Sequence, residues 1–182
     1  MKRMMLLVAV LAFGAMGAET LKPVVEKTWN GAEGVVVRGF SRPVAHSLAV
    51  TNATPYTLVV EMRLPAISWN SWRSAFTTSL ALDGAAFVNP KNEVGIAGIY
   101  KDIGLKPGSV VKFVAAYDGQ KHLSLYANGH VIVSGHEVPK AGISEPIFYL
   151  AGDESGEDGE VELLRARVFN RVLTQKEIAT LW

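Results

Sequence analysis

Period-two alternation of apolar and polar side chains sets the limits on what this chain can become. From Tyr56 to Leu64, one face carries Tyr56, Leu58, Val60, Met62 and Leu64, and the other carries Thr57, Val59, Glu61 and Arg63. Successive side chains of a strand point to opposite faces, so this spacing suits a half-buried β-strand. Pro65 follows, withdraws a backbone donor and ends the strand. Val110 to Tyr117 is β-rich, His122 to Tyr126 alternates again, and Val131-Ile132-Val133 makes a third run. Asp118-Gly119 separates the first two runs and Asn128-Gly129 the last two. Both dipeptides tolerate the positive φ angles of tight hairpins, so three successive antiparallel strands are expected. Further strands are expected near Glu33–Arg38, Ser47–Val50, Arg73–Leu80, Glu93–Ile99, Ile147–Ala151 and Val161–Phe169.

Helical patterning occurs once, at the end. Thr174 is a good N-cap and Glu177 stands three residues on, which together make a capping box. Ile178, Leu181 and Trp182 would then share one short apolar face. Many short strands with turn signals and almost no helix predict an all-β fold. We expect a two-sheet antiparallel β-sandwich, or jelly roll, with one short C-terminal helix. No internal repeat or linker divides it.

The first residues read as a secretory signal peptide, residues 1–18. Lys2 and Arg3 form the basic start, Leu6 to Phe13 an apolar run, and Gly14, Ala15, Gly17 and Ala18 a small-residue cleavage region. Cleavage after Gly17 and after Ala18 both fit. The run is shorter than the roughly 20 residues a membrane-spanning helix needs. Its removal leaves one domain, 19–182, large enough for a single substantial core. The expected location is therefore secreted or periplasmic. Without Lys2 and Arg3 the chain keeps 16 basic against 17 acidic residues, so no global field draws it to nucleic acid or to an anionic membrane. With no cysteine, disulfides, thiolate catalysis and cysteine metal sites are excluded.

Three stretches resemble the laminin G-like branch of the concanavalin A-like lectin/glucanase superfamily. Ala116-Tyr117-Asp118-Gly119, leading into Leu125-Tyr126-Ala127-Asn128-Gly129, is similar to the family's Tyr-Asp-Gly and Leu-Tyr-Val-Asn-Gly. Val168-Phe169-Asn170-Arg171-Val172-Leu173-Thr174, with Glu177-Ile178, resembles its closing strand and helix. Tyr56-Thr57-Leu58 is similar to the Phe-Thr-Ile of an early core strand. The chain departs from the family at Val110, where Trp is common, and at Leu163-Leu164-Arg165, where Ile-Asp-Glu is common. The resemblance implies a concanavalin A-like sandwich that binds ligands through rim loops.

Two loops carry candidate chemistry. Indole faces stack on sugar rings while amide and guanidinium groups reach hydroxyls, so Trp69, Asn70, Trp72 and Arg73 form a candidate ligand site. Packing of Trp72 in the core, with Trp69 capping it, is the competing reading. Asp153, Glu154, Glu157 and Asp158 could gather the hard oxygen ligands that Ca2+ takes; a solvated acidic loop is the alternative. Asp158, Glu160 and Glu162 alternate somewhat as the carboxylates of a glycosidase strand do, but in the order Asp-x-Glu-x-Glu, and coincidence in an acidic loop is the better explanation. His46, His122, His130 and His136 are scattered without zinc-ligand spacing, and Asn52-Ala53-Thr54 fits a glycosylation acceptor. The expected role is a binding module for a glycan or an extracellular protein, possessing no assembled catalytic set. A structural or adhesion domain with a protein partner is the second expectation, and a glycoside hydrolase the third.

Overall fold

The computed structural model describes residues 21–29, 35–37, 47–49, 55–66, 70–78, 86–96, 98–137, 147–152 and 160–182. Thirteen strands and one helix lie among them. The strands are β1 (Val25–Thr28), β2 (Val35–Val37), β3 (Ser47–Ala49), β4 (Tyr56–Arg63), β5 (Arg73–Thr77), β6 (Ala86–Val88) and β7 (Val94–Ile96). They continue as β8 (Ile99–Lys101), β9 (Val110–Tyr117), β10 (His122–Ala127), β11 (His130–Glu137), β12 (Ile147–Leu150) and β13 (Val161–Phe169), before helix α1 (Gln175–Ala179).

These strands form two antiparallel sheets. The larger runs β1-β13-β4-β9-β10-β11, with β2 also paired to β13. β1 takes Arg165 to Val168 and β2 takes Val161 to Leu163, so two short strands share one edge. The smaller runs β3-β12-β5-β6-β7-β8. As the alternation requires, Tyr56, Leu58, Val60 and Met62 of β4 and Val111, Phe113, Ala115 and Tyr117 of β9 face inward. Phe76, Val88, Ile96, Phe148 and Leu150 of the smaller sheet meet them in one core. Phe148 stands edge-on to Tyr56 at 4.8 Å. Each such large side chain contributes about 1.5–3 kcal/mol by leaving water.

The outer face of the larger sheet is divided. Val59, Val114, Tyr126 and Phe169 form a second apolar patch, covered by Leu173, Ile178 and Leu181. Thr57, buried beneath this segment, fixes it with one hydroxyl: Oγ1 donates to the Arg171 carbonyl at 2.9 Å and accepts from the Leu173 N–H at 2.9 Å. The capping box forms as the spacing predicts, with the Thr174 side chain accepting from the Glu177 N–H. Farther along the same face the side chains are charged. Glu61 lies between Lys112, at 3.6 Å, and Arg167, at 3.3 Å. Arg165 pairs with Glu26, and Arg63 with Glu162.

The three-strand meander β9-β10-β11 follows the expected order. Asn128 and Gly129 both take positive φ, at 45° and 82°, as a two-residue hairpin demands. Asp118 works differently: one carboxylate oxygen accepts the N–H groups of Gln120, Lys121 and His122, and the other bonds the His122 ring. The expected single strand Glu93–Ile99 is a correction. It is two strands, β7 and β8, folded back at Gly98, whose φ of 82° suits glycine. β1 and β6 were not foreseen; runs of three or four residues are too short for a period to emerge. Trp182 remains 43% exposed, beside Gly129, while Ile178 and Leu181 are buried. Asn52 to Thr54 lie outside the described residues.

Two substitutions test this packing. Thr57→Val keeps the shape but strands the Leu173 N–H and the Arg171 carbonyl, and should cost about 1–3 kcal/mol in urea unfolding. The Tyr56 hydroxyl is buried and has no partner among the described residues. Tyr56→Phe should therefore hold stability level or raise it by up to ~1 kcal/mol. Acid provides a third test. The hydrogen bond from Arg171, then those from Thr174, hold the Glu177 carboxyl down at about 2, against 4.5 ordinarily. A depressed carboxyl stabilises above its unfolded value and loses that contribution as pH falls toward its folded one. Circular dichroism should record fraying of α1 between pH 4.5 and about 2, and Glu177→Gln should abolish that step.

Candidate functional site

One end of the sandwich gathers segments distant in sequence. β4 leaves the larger sheet through Leu64, Pro65 and Ala66, and the chain enters the smaller sheet through Asn70, Ser71 and Trp72. The turn Lys106–Ser109 lies alongside: Leu64 N–H donates to Ser109 and Gly108 N–H to Pro65. Glu160 and the start of β13 complete the group. Arg63, Leu64, Pro65, Ala66, Gly108, Glu160, Val161 and Glu162 line a cavity of about 220 Å³ here.

Arg73 joins the two candidate loops. It is only 1% exposed. Its Nε donates to the Glu160 carbonyl at 3.3 Å and its Nη1 to the Ser71 carbonyl at 3.0 Å. Burial pushes the guanidinium below its usual value, yet an arginine stays protonated, so the carbonyls solvate a permanent charge. Turned inward, Arg73 ties β5 to the start of β13 rather than meeting solvent. Every residue of β5 is buried, which leaves a long side chain only a neighbouring loop to reach.

Trp72 behaves in the opposite way. It is 38% exposed. Its ring stands edge-on to Phe87 at 5.9 Å and to Tyr100 at 5.6 Å. This trio occupies the outer face of the smaller sheet, since Ala86 and Val88 beside Phe87 enter the core. Gly95 lies between the other two, paired with Phe87 on one side and Tyr100 on the other. A Cβ at Gly95 would come within 2.0 Å of the Ile99 carbonyl oxygen and 2.4 Å of the Tyr100 ring. Glycine is therefore what lets the Tyr100 ring cross that strand. Sequence reasoning missed Phe87, Tyr100 and Gly95; the signal was present only in pairing register.

Asn70 is exposed on the same rim. Trp69, Asp153, Glu154, Glu157 and Asp158 lie outside the described residues. Of the alternating carboxylates, Glu162 on β13 meets the Arg63 guanidinium at 2.5 Å and Glu160 is exposed at the strand's start, both lining the cavity. Among the described residues no group of three or more His, Asp or Glu is placed to hold a metal ion, and no helix is long and apolar enough to cross a membrane.

Solved structures share this architecture. A Trypanosoma rangeli sialidase holding 2,3-difluorosialic acid as a covalent intermediate aligns at a TM-score of 0.57 and 17% identity, over 69% of this chain. The NanB sialidase of Streptococcus pneumoniae aligns at 0.56 and 15% identity, over 88% of this chain. These neighbours are sialidases. The chain spans only 22% and 28% of their respective lengths, and at such identities the likeness is one of fold alone: a β-sandwich. Neither a protein-family model nor a curated protein matches the chain.

Gly95→Ala tests whether the aromatic trio is built as described. Because the clash is with backbone, it should cost about 1–3 kcal/mol. It should also alter the Trp72 emission relative to a Trp72→Phe background. An unchanged spectrum with unchanged stability would show that Gly95 does not set the Tyr100 ring in place.

Proposed function

We propose that this chain is an exported carbohydrate-binding module of the laminin G/concanavalin A-like kind, acting through the rim that carries Trp69, Asn70 and Trp72. The observation that carries this reading is the exposure of Trp72 despite two flanking rings. An indole fixed on two sides and open to water is suited to stack on the apolar face of a sugar. The fold shared with sialidases, proteins whose structures hold sialic acid derivatives, supports the same direction. Arg73 acts in this proposal as a brace for the rim. In this reading the chemistry is recognition, and Glu162 serves as the partner of Arg63.

Calcium at Asp153, Glu154, Glu157 and Asp158 is the second part of the proposal, supported by the hard-oxygen character of those side chains. The loop's last residue, Glu160, is bonded through its carbonyl to Arg73, so an ion there would stiffen the rim.

A glycan array probed with the mature domain tests the first part: binding is expected, and Trp69→Ala or Trp72→Ala should each reduce it about tenfold. A silent array, with one extracellular protein captured stoichiometrically, would replace the reading with that of an adhesion domain. Thermal unfolding in millimolar Ca2+ and in EDTA tests the second. Saturation at 100 times Kd should add about 2.7 kcal/mol, a shift of a few degrees. Identical midpoints would remove calcium.

A further inference from the structure

Strand register brings a carboxylate to the outer face that carries the Trp72 ring. Arg73 of β5 pairs with Val88 of β6, and Val88 pairs with Val94 of β7. One residue beyond each of these, Trp72, Asn89 and Glu93 therefore stand level at the ends of three neighbouring strands. Val88 and Val94 enter the core, so Asn89 and Glu93 take the outer face, as Trp72 does. Adjacent strands lie about 4.8 Å apart, which sets the Trp72 and Glu93 backbones ~10 Å from each other. The indole spans that interval. Its ring comes within 5.6 Å of the ring of Tyr100, which stands on β8, the strand beyond β7. The Tyr100 ring in turn reaches back over Gly95, two residues after Glu93 on the same face.

Glu93 is held as firmly as the ring. Asn89 is only 7% exposed, and its Oδ1 accepts the N–H groups of Lys91, at 2.9 Å, and Glu93, at 3.0 Å. Its Nδ2 donates to Glu93 Oε2 at 2.8 Å. The Asn89 N–H, bonded to the Glu93 carbonyl at 2.9 Å, closes the same pair through the backbone. Glu93 is half-buried, and among the described residues its Oε1 has no hydrogen-bond partner. A carboxylate fixed through one oxygen keeps acceptor capacity on the other and needs little ordering to use it.

A pyranose offers a face of C–H groups and a perimeter of hydroxyl donors. An indole suits the first and a fixed carboxylate the second. Resting on the carbohydrate reading above, we infer that the sugar site extends across the smaller sheet from Trp72 to Glu93. Glu93 accepts hydroxyls of a pyranose stacked on the indole, and Asn89 is the positioning residue for Glu93. The site thus discriminates by hydroxyl pattern: a deoxy sugar still stacks but leaves the carboxylate unpaired.

The test is calorimetric titration of the mature domain with oligosaccharides of glucose, mannose and galactose, then with deoxy forms of the tightest binder. Glu93→Gln should weaken binding ~10-fold, the effect of losing a hydrogen bond to a charged acceptor. One deoxy position should show a similar loss in the wild type, and that loss should vanish in Glu93→Ala. Asn89→Ala should weaken binding ~3-fold, yet have no effect once Glu93 is already alanine, a coupling that a merely structural role would not produce. Thermal midpoints well above the titration temperature will establish that each variant is folded. Binding that falls with Trp72→Ala but ignores Glu93→Gln would overturn this inference and leave the carbohydrate reading standing. Equal deoxy penalties in the wild type and in Glu93→Ala would overturn the hydroxyl contact. Failure of every oligosaccharide to bind would remove the reading and the inference together.

Discussion

A wide sheet has two faces, and each must be either covered or made polar. In this protein that constraint falls most heavily on β4, the strand flanked by β13 and β9 at the middle of the larger sheet. Its inward side chains enter the main core. Its outward side changes character along its length, from Thr57 and Val59 beneath the C-terminal segment to Glu61 and Arg63 among charged neighbours. The helix exists because half of that face is apolar, and the ion pairs exist because the other half is not. A five-residue helix has little intrinsic stability. Its capping box, its buried Ile178 and the Thr57 hydroxyl together hold it in place.

The smaller sheet solves the same problem with aromatic rings. Phe87 and Tyr100 rest on its outer face and Trp72 leans against both, so the sheet is shielded while one ring stays open to water. Arg73, next in sequence, points into the structure and closes the gap to Glu160. Adjacent residues thus do opposite tasks, which is what alternation across a strand entrance allows.

What was legible in the sequence follows the range of each interaction. β4 could be read because eight residues repeat a period of two, β9 because its run is β-rich and ends at Asp118-Gly119, and α1 because its capping box spans only four positions. Trp72 was legible as a candidate but not its setting. Phe87 and Tyr100 come from other strands, and their meeting depends on the register that sets Gly95 between them. Arg73 read as a group available to a ligand because a guanidinium usually seeks water; only the packing on both sides of β5 explains its burial. The acidic residues Asp153 to Asp158 remain proposals from sequence chemistry.

The split edge of the larger sheet has a consequence for solubility. Unpaired N–H and C=O groups along a sheet border are templates on which another copy can add a strand. Here one border is shared by β1 and β2, four and three residues long, and the smaller sheet ends in β3 and β8, each of three. The eight-residue border strand β11 has its register against β10 broken twice, near Leu125. Among the described residues, a second molecule would find no long straight ladder to extend. In a chain without disulfide staples, borders this short or irregular offer little purchase for strand addition by a second copy.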